Sequence, residues 1–491
     1  MKLLLVNPNF NKSSVVVPSL GLGFLATYIK KYTDWMVEVC EPVLQGISMK
    51  ETLDKVKSAD ILGLVCYTES RFFCFDFAKR TKKLNPACKI IVGGPHVDIL
   101  DIKILEHYSF IDIVARSEAE ETLLEIIQNK PLEEIQGITF RKNNQIFRNS
   151  LRPLIHNLDK LEFDYDLYQP WINNWKDNEV DESLKELKHL PIITSRGCPF
   201  SCFFCSAPSH WQFKLRTVSP KRRAQWLKDL TIKYNIGYFR FYDSLFINNE
   251  KDIMEFCDIL EDMNLKINFR IDIRVGTPRH ILQRLKSIGC RIVGFGIESN
   301  SDKILIKINK GIDTKTIRET IDDCKKLGLW LIGFFMFSLP GEKLKDIRKT
   351  LSIFKYFDVL NIQIFKIHPN TFIYHQLCMD KKIDDEVWFN NNYGYNSEAG
   401  NHFFFCRDLF KEAIFSHKEI ALIISYAYEL RNFQGSFYKI SFLKQVPLFI
   451  RFIFIKMVLN SVFILKLYNR MLDTLWIKKT KALLRYFKIC R

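Results

Sequence analysis

Apolar residues in this chain come in short runs, separated by longer stretches where they recur every three or four positions. Lys2–Asn7, Ile61–Tyr67, Lys89–Val92 and Ile111–Ala115 read as buried strands; Gly21–Lys31 and Cys74–Leu84 read as amphipathic helices between them. Strand–helix alternation predicts an α/β region, a parallel doubly wound sheet over residues 1–135. In such sheets a ligand sits beyond the carboxyl ends of the strands. Those ends carry Asn7-Pro8, Tyr67-Thr68-Glu69 and Gly93-Gly94-Pro95-His96. Ordinary turn chemistry accounts for the same residues without a ligand.

Residues 136–190 are more polar and irregular. Pro153, Pro170 and the charged stretch Lys176–Lys188 predict a connecting segment. From Pro191 the alternation restarts. Ile192–Ser195, Tyr238–Tyr242, Asn268–Ile271, Ile292–Ile297, Leu331–Phe337 and Ile362–Ile367 are six expected strands with helical stretches between them. Six such units predict a partial (β/α)6 barrel of the TIM type over residues 191–375. Residues 376–491 turn helical and aromatic. Clusters such as Phe403-Phe404-Phe405 read as core there, and no motif identifies a substrate.

Composition changes this picture in two ways. With 491 residues, 47% of them hydrophobic, the chain can bury several cores. Its 13 cysteines are scattered singly apart from one tight group, which is no disulfide framework and predicts a reducing, cytoplasmic setting. The apolar start Met1–Val6 is cut short by Asn7-Pro8, so it reads as a first strand rather than a leader. The formal charge of +17 is unevenly spread: from Lys444 to Arg491 there are 11 Lys and Arg against one acid, Asp473. The basic signal therefore belongs to the tail, and no nucleic-acid partner is expected of the chain.

The tight group is Cys198-Pro199-Phe200-Ser201-Cys202-Phe203-Phe204-Cys205, three thiols within eight residues, following Ser195-Arg196-Gly197. Structural zinc sites take four protein ligands, commonly as two dyads. No second dyad is present, and His210 is a poor fourth ligand. Three thiolates suit a [4Fe–4S] cluster with one iron open. Spacing alone favours the cluster and leaves zinc and purely structural cysteines as alternatives.

In this context Cys-x3-Cys-x2-Cys resembles the radical SAM superfamily, including the aromatic Phe204 before the last cysteine. Further matches follow in order. Phe241-Tyr242-Asp243-Ser244 resembles the second-strand motif, with Ser244 where a second Asp is common. Arg270–Arg274 resembles the third-strand end, and Gly294-Phe295-Gly296-Ile297-Glu298-Ser299 the fourth-strand motif that contacts SAM. Lys310-Gly311 comes next, then Phe337-Ser338-Leu339-Pro340-Gly341-Glu342, similar to the fifth-strand motif. His368-Pro369-Asn370-Thr371 stands where many members have Pro-Gly-Thr. The N-terminal region resembles the cobalamin-binding domain that precedes this barrel in one large subfamily. The matching residues are Asn7-Pro8, Leu20-Gly21-Leu22, Gly93-Gly94-Pro95-His96 and Ser117-Glu118-Ala119-Glu120-Glu121-Thr122, the last usually Gly-Glu-Gly-Glu. The cobalt-ligating Asp-x-His-x-x-Gly pattern of other B12 proteins is missing, as is common in this subfamily.

The resemblance implies a [4Fe–4S] cluster on Cys198, Cys202 and Cys205. It implies SAM bound by Phe204, Ser244, Arg274, Glu298, Ser299, Pro340 and Glu342. It implies cobalamin held by Asn7, Pro8, Leu20, Gly21, Thr68, Gly93, Gly94, Pro95, His96 and Glu118, with His96 near the corrin or its tail rather than on the cobalt. An external electron donor of flavodoxin or ferredoxin type would reduce the cluster. Reductive cleavage of SAM would yield a deoxyadenosyl radical, and cobalamin would deliver a methyl group to a substrate carbon. Relatives with this architecture also carry out radical rearrangement or cyclisation without methylation. A cobalamin-responsive regulator is the distant alternative and has no need of the cluster motif.

On a helical wheel the tail separates into two faces. Arg451, Lys456, Lys466 and Arg470 fall on one, and Phe454, Met457, Leu465 and Trp476 on the other. Arg451 and Lys456 come too early for a membrane span of about 20 residues. The pattern fits an interfacial helix on anionic lipid at the inner membrane face, or a helix packed on the barrel with its basic side in water. The first of these favours a small-molecule substrate that is hydrophobic or lipid-like.

Overall fold

The structure, a computed structural model, describes residues 1–10, 18–169 and 171–389. The helical and aromatic region beyond 389, including the basic tail, lies outside the described residues. The chain divides into two compact units. Among the described residues the first holds Met1–Ile273, His280–Arg291 and 367–389, and the second holds Arg274–Arg279 and Ile292–Lys366.

The first unit opens with a seven-stranded sheet built from β1 (Lys2–Val6), β2 (Met36–Cys40), β3 (Ile61–Val65), β4 (Lys89–Gly93), β5 (Ile113–Ala115), β6 (Ile138–Lys142) and β7 (Gln145–Arg148). Their order is β2-β1-β3-β4-β5-β6-β7. The first five run parallel, which puts a topological switch point between β1 and β3. Leu3, Leu4, Leu5, Val6, Leu62, Ile90 and Val92 are fully or nearly fully buried, as expected of strands covered on both faces. Helix Leu20–Tyr32 buries Leu22, Ala26 and Ile29 along one side and Phe24 on the other, and carries Lys30 and Lys31 in its last turn, where the helix dipole favours cations.

Two elements of this sheet differ from expectation. β2 escapes notice because Met36-Val37-Glu38-Val39-Cys40 is short and half-buried. The hairpin β6–β7 lies inside the segment read as an irregular connection, and extends the sheet in antiparallel fashion. Its signal was Asn143-Asn144, both with positive φ, as a two-residue hairpin turn requires.

Still in the first unit, β8 (His189–Ile192) is followed by the short antiparallel pair β9 (Ser195–Arg196) and β10 (Arg216–Thr217). β11 (Tyr238–Phe241) pairs in parallel with β8 and with β12 (Asn268–Ile273). The second unit carries β13 (Cys290–Glu298), β14 (Trp330–Phe337) and β15 (Val359–Ile364), with β14 parallel to both neighbours. These six parallel strands, alternating with helices, are those of a partial TIM-type barrel. The last begins three residues earlier than its apolar run suggests. Among the described residues no helix is long and apolar enough to cross a membrane.

Candidate functional site

The carboxyl ends of the first sheet converge on a cavity of about 450 Å³. Of the residues expected to bind cofactors, Gly21, Gly93, Gly94, Pro95, Glu118 and Ser244 line it. Asn7, Pro8, Leu20, Thr68 and His96 are not among its lining residues. Asn7 donates through Nδ2 to Ser19 Oγ (2.9 Å) and to Glu41 Oε2 (3.0 Å). Burial pushes the Glu41 carboxyl up to about 7, against the pull of these hydrogen bonds.

Gly94 takes φ +101°, and a Cβ there would lie 2.9 Å from the Cys66 carbonyl oxygen, so the turn after β4 needs glycine. A Cβ on Gly21 would meet nothing within 4 Å. This glycine faces open cavity, and the space beside it fits a bulky ligand that approaches the backbone. His96 is fully buried, its Nδ1 3.2 Å from Thr68 Oγ1. Desolvation, with Arg71 and His368 nearby, holds its imidazole neutral, well below the usual histidine range.

The three cysteines sit on the loop after β9. Cys202 is buried, and Cys198 and Cys205 are partly exposed. The Cys205 amide donates to the Cys202 carbonyl at 3.1 Å, turning the chain between these two thiols. Gly197 precedes the loop at φ +99°, and any side chain there would strike the Lys214 carbonyl at 2.0 Å. Among the described residues no three His, Cys, Asp or Glu side chains gather around a single ion site. The donor set itself, three thiols within eight residues of one loop, fits a cluster that takes one thiolate per iron.

This loop is anchored to its surroundings by charge. Asp243, just past β11, accepts hydrogen bonds from the Thr194 and Ser195 amides and the Thr194 hydroxyl, each at 2.7 Å, and burial raises its carboxyl to about 6. Glu118 was expected at cobalamin, yet its carboxylate is engaged by protein. It accepts from Arg196 Nη1 (2.7 Å), Arg216 Nη1 (2.8 Å) and the Ile155 amide (2.7 Å). Residue order alone assigns no role to Arg196 or Arg216. Their partners lie 78 and 98 residues away, and only the fold reveals the pairing.

The second unit gathers most of the expected SAM-binding residues. Glu298 and Lys310 form a buried ion pair, and the Arg274 guanidinium donates to the carbonyls of Lys310 and Gly311. Glu298 and Ser338 both take left-handed backbone, at φ +66° and +67°. Ser299 is buried beside Thr350, with hydroxyl oxygens 3.3 Å apart. Glu342 accepts from the Ser338 amide at 2.8 Å, its other oxygen has no partner among the described residues, and burial raises its carboxyl to about 8. At neutral pH that group is a carboxylic acid with an O–H to donate.

Comparison with known proteins gives the chain its context. Residues 192–353 match the radical SAM superfamily, and residues 7–127 match the B12 binding domain. An uncharacterised methyltransferase of Pyrococcus horikoshii is 29% identical over 372 residues, covering 73% of this chain and 79% of that one. The anaerobic magnesium-protoporphyrin IX monomethyl ester cyclase of Cereibacter sphaeroides is 22% identical over 412 residues, covering 79% of this chain and 66% of its own length. The radical S-adenosylmethionine methyltransferase TsrM of Kitasatospora setae, solved with cobalamin and a [4Fe–4S] cluster, shares the fold. Its TM-score is 0.61 at 16% identity, covering 77% of this chain and 75% of that one.

Proposed function

Because the chain is a radical SAM enzyme with a B12-binding domain, we propose that it methylates an unactivated carbon of a hydrophobic small molecule. Its cofactors are a [4Fe–4S] cluster, S-adenosylmethionine and cobalamin. When bound, they supply the electron, the hydrogen-abstracting power and the methyl group, and an external reductant recharges them.

The observation that carries this reading is the shared cavity. Gly93 and Gly94 from the end of β4 line it together with Arg196, Gly197, Tyr242 and Ser244 from the strands and loops that flank the cysteines. Cys198, Cys202 and Cys205 would hold the cluster, and the open face at Gly21 and Gly93 would admit the corrin. Leu22, Phe24, Leu64 and Trp211 give the wall an apolar character that excludes water and suits a hydrophobic substrate. Glu298, paired with Lys310, would accept from SAM's polar groups, and the Glu342 carboxyl, whose burial favours the protonated form, would donate. A lipid-like substrate and membrane-surface contact draw support from the cationic tail at 444–491.

The similarity to a cyclase favours one second reading, ring formation or rearrangement without methyl transfer. Anaerobic reconstitution with iron, sulfide and hydroxocobalamin, followed by incubation with SAM and reductant, separates the two. Methyl transfer releases deoxyadenosine, from the SAM that is cleaved, together with S-adenosylhomocysteine, from the SAM that gives its methyl group, whereas deoxyadenosine alone supports the second reading. Unchanged SAM cleavage by Cys202→Ala would refute both.

A further inference from the structure

We infer that Glu118 and Glu120, through Arg196, are positioning residues that couple the cobalamin cavity to the loop carrying the cluster cysteines. The inference rests on the proposed cofactor sites and goes beyond them, because it gives Glu118 a second task and assigns one to Glu120 and Arg196, which neither cofactor is expected to touch.

The cysteine loop is held at both ends by the domain that would bind cobalamin. On its upstream side Arg196, two residues before Cys198, spans two carboxylates. Nη1 donates to Glu118 Oε1 at 2.7 Å and Nη2 to Glu120 Oε1 at 2.6 Å. The guanidinium also lies over the rings of Phe24, 5.0 Å away, and Trp211, 5.9 Å away, which fixes its plane. On the downstream side His210, five residues after Cys205, bonds through Nδ1 to Asp98. The other oxygen of Asp98 accepts the Ser117 amide at 3.0 Å, which joins the loop after β4 to the loop after β5. Arg216 closes the set on the second oxygen of Glu118.

Side chains of Glu118, Glu120, Arg196 and Arg216 are all at most 9% exposed. Apolar residues of similar volume often fill such a space with equal or better stability, whereas losing one partner of a buried pair leaves a charge without compensation. What the charges contribute is a fixed register: Arg196 cannot shift without breaking a fork to two carboxylates. Ser117, Glu118, Glu120, Arg196 and His210 all line the cavity as well. A ligand that settles there presses on loops that also set the cysteines, so the two cofactors' affinities become linked, and linkage is reciprocal.

The test uses the full chain, anaerobically loaded with cluster, and measures the Kd of SAM by equilibrium dialysis with and without saturating hydroxocobalamin. In the native protein hydroxocobalamin tightens SAM binding by about five-fold or more, the lower end of typical coupling. In Glu120→Gln the ratio collapses towards one, while iron content and cobalamin stoichiometry stay native. Arg196→Lys, which keeps the charge and loses the fork, gives an intermediate ratio. If Glu120→Gln fails to load iron, His210→Gln reports from the other end of the loop, with the same collapse expected. A native ratio of one with both cofactors bound, or a native-sized ratio in the loaded variants, overturns the inference. A native protein that binds no cobalamin or no SAM overturns the proposed function instead.

Discussion

Lys310 Nζ donates to Glu298 Oε1 at 2.9 Å, and both side chains are almost fully buried. Gly296 makes room for the pair: a Cβ there would lie 2.9 Å from Lys310 Nζ and 3.0 Å from Glu298 Oε1. Removing the cation strands a buried carboxylate, at about 3–5 kcal/mol. Lys310→Met is therefore expected to lower the melting temperature and to weaken SAM binding about ten-fold or more, with iron content unchanged. Native SAM affinity in this variant would show that the pair does not shape the SAM site.

Glu342 predicts a pH dependence. Its folded pKa of about 8 stands above its unfolded value of 4.5, because burial penalises the charged form. The folded protein thus keeps a proton that the unfolded chain releases, and this contribution to stability is complete below about pH 4.5 and lost as pH rises through about 8. Glu342→Gln carries no titrating proton. Thermal melts across pH 5–9 should show a smaller decline towards alkaline pH than in the native protein; parallel curves would reject this assignment.

The glycines at the cavity separate a folding role from a binding role. Gly94→Ala faces both positive φ and the Cys66 carbonyl, and should cost about 1–3 kcal/mol of stability. Gly21→Ala meets nothing, so its melting temperature should stay native while the added methyl narrows the cobalamin space and weakens hydroxocobalamin binding. Spectrophotometric titration and thermal melts on both variants read the two effects separately.

His96 should not coordinate cobalt. It is fully buried, does not line the cavity, lies within hydrogen-bond distance of Thr68 and is held neutral. The electron paramagnetic resonance spectrum of cob(II)alamin on the protein is expected to be the same in His96→Leu as in the native chain. Loss of a nitrogen splitting in the variant would reverse this assignment.

Much of this protein could be read from residue order because its chemistry is local. Cys198, Cys202 and Cys205 lie within eight residues of one loop, and strand–helix alternation follows from local apolar runs and the 3.6 residue helical period. The hairpin β6–β7 was harder to read, since β6 is short and β7 is polar and largely exposed, which resembles a polar linker. His96 shows the limit in the other direction. Its position at a strand end suggests a place near the ligand, but side-chain direction is set by packing, and only the structure gives the contact of its imidazole with Thr68.

The sequence by itself determined the two domain types, most of their strand–helix alternation and the three thiols, since each depends on spacing within a few residues. Only the tertiary structure decided what Glu118, Glu120, Arg196 and Asp98 do. Their partners lie roughly 76 to 112 residues apart along the chain, and buried charges choose partners by proximity in space, where desolvation leaves no solvent to stand in for a missing counter-ion.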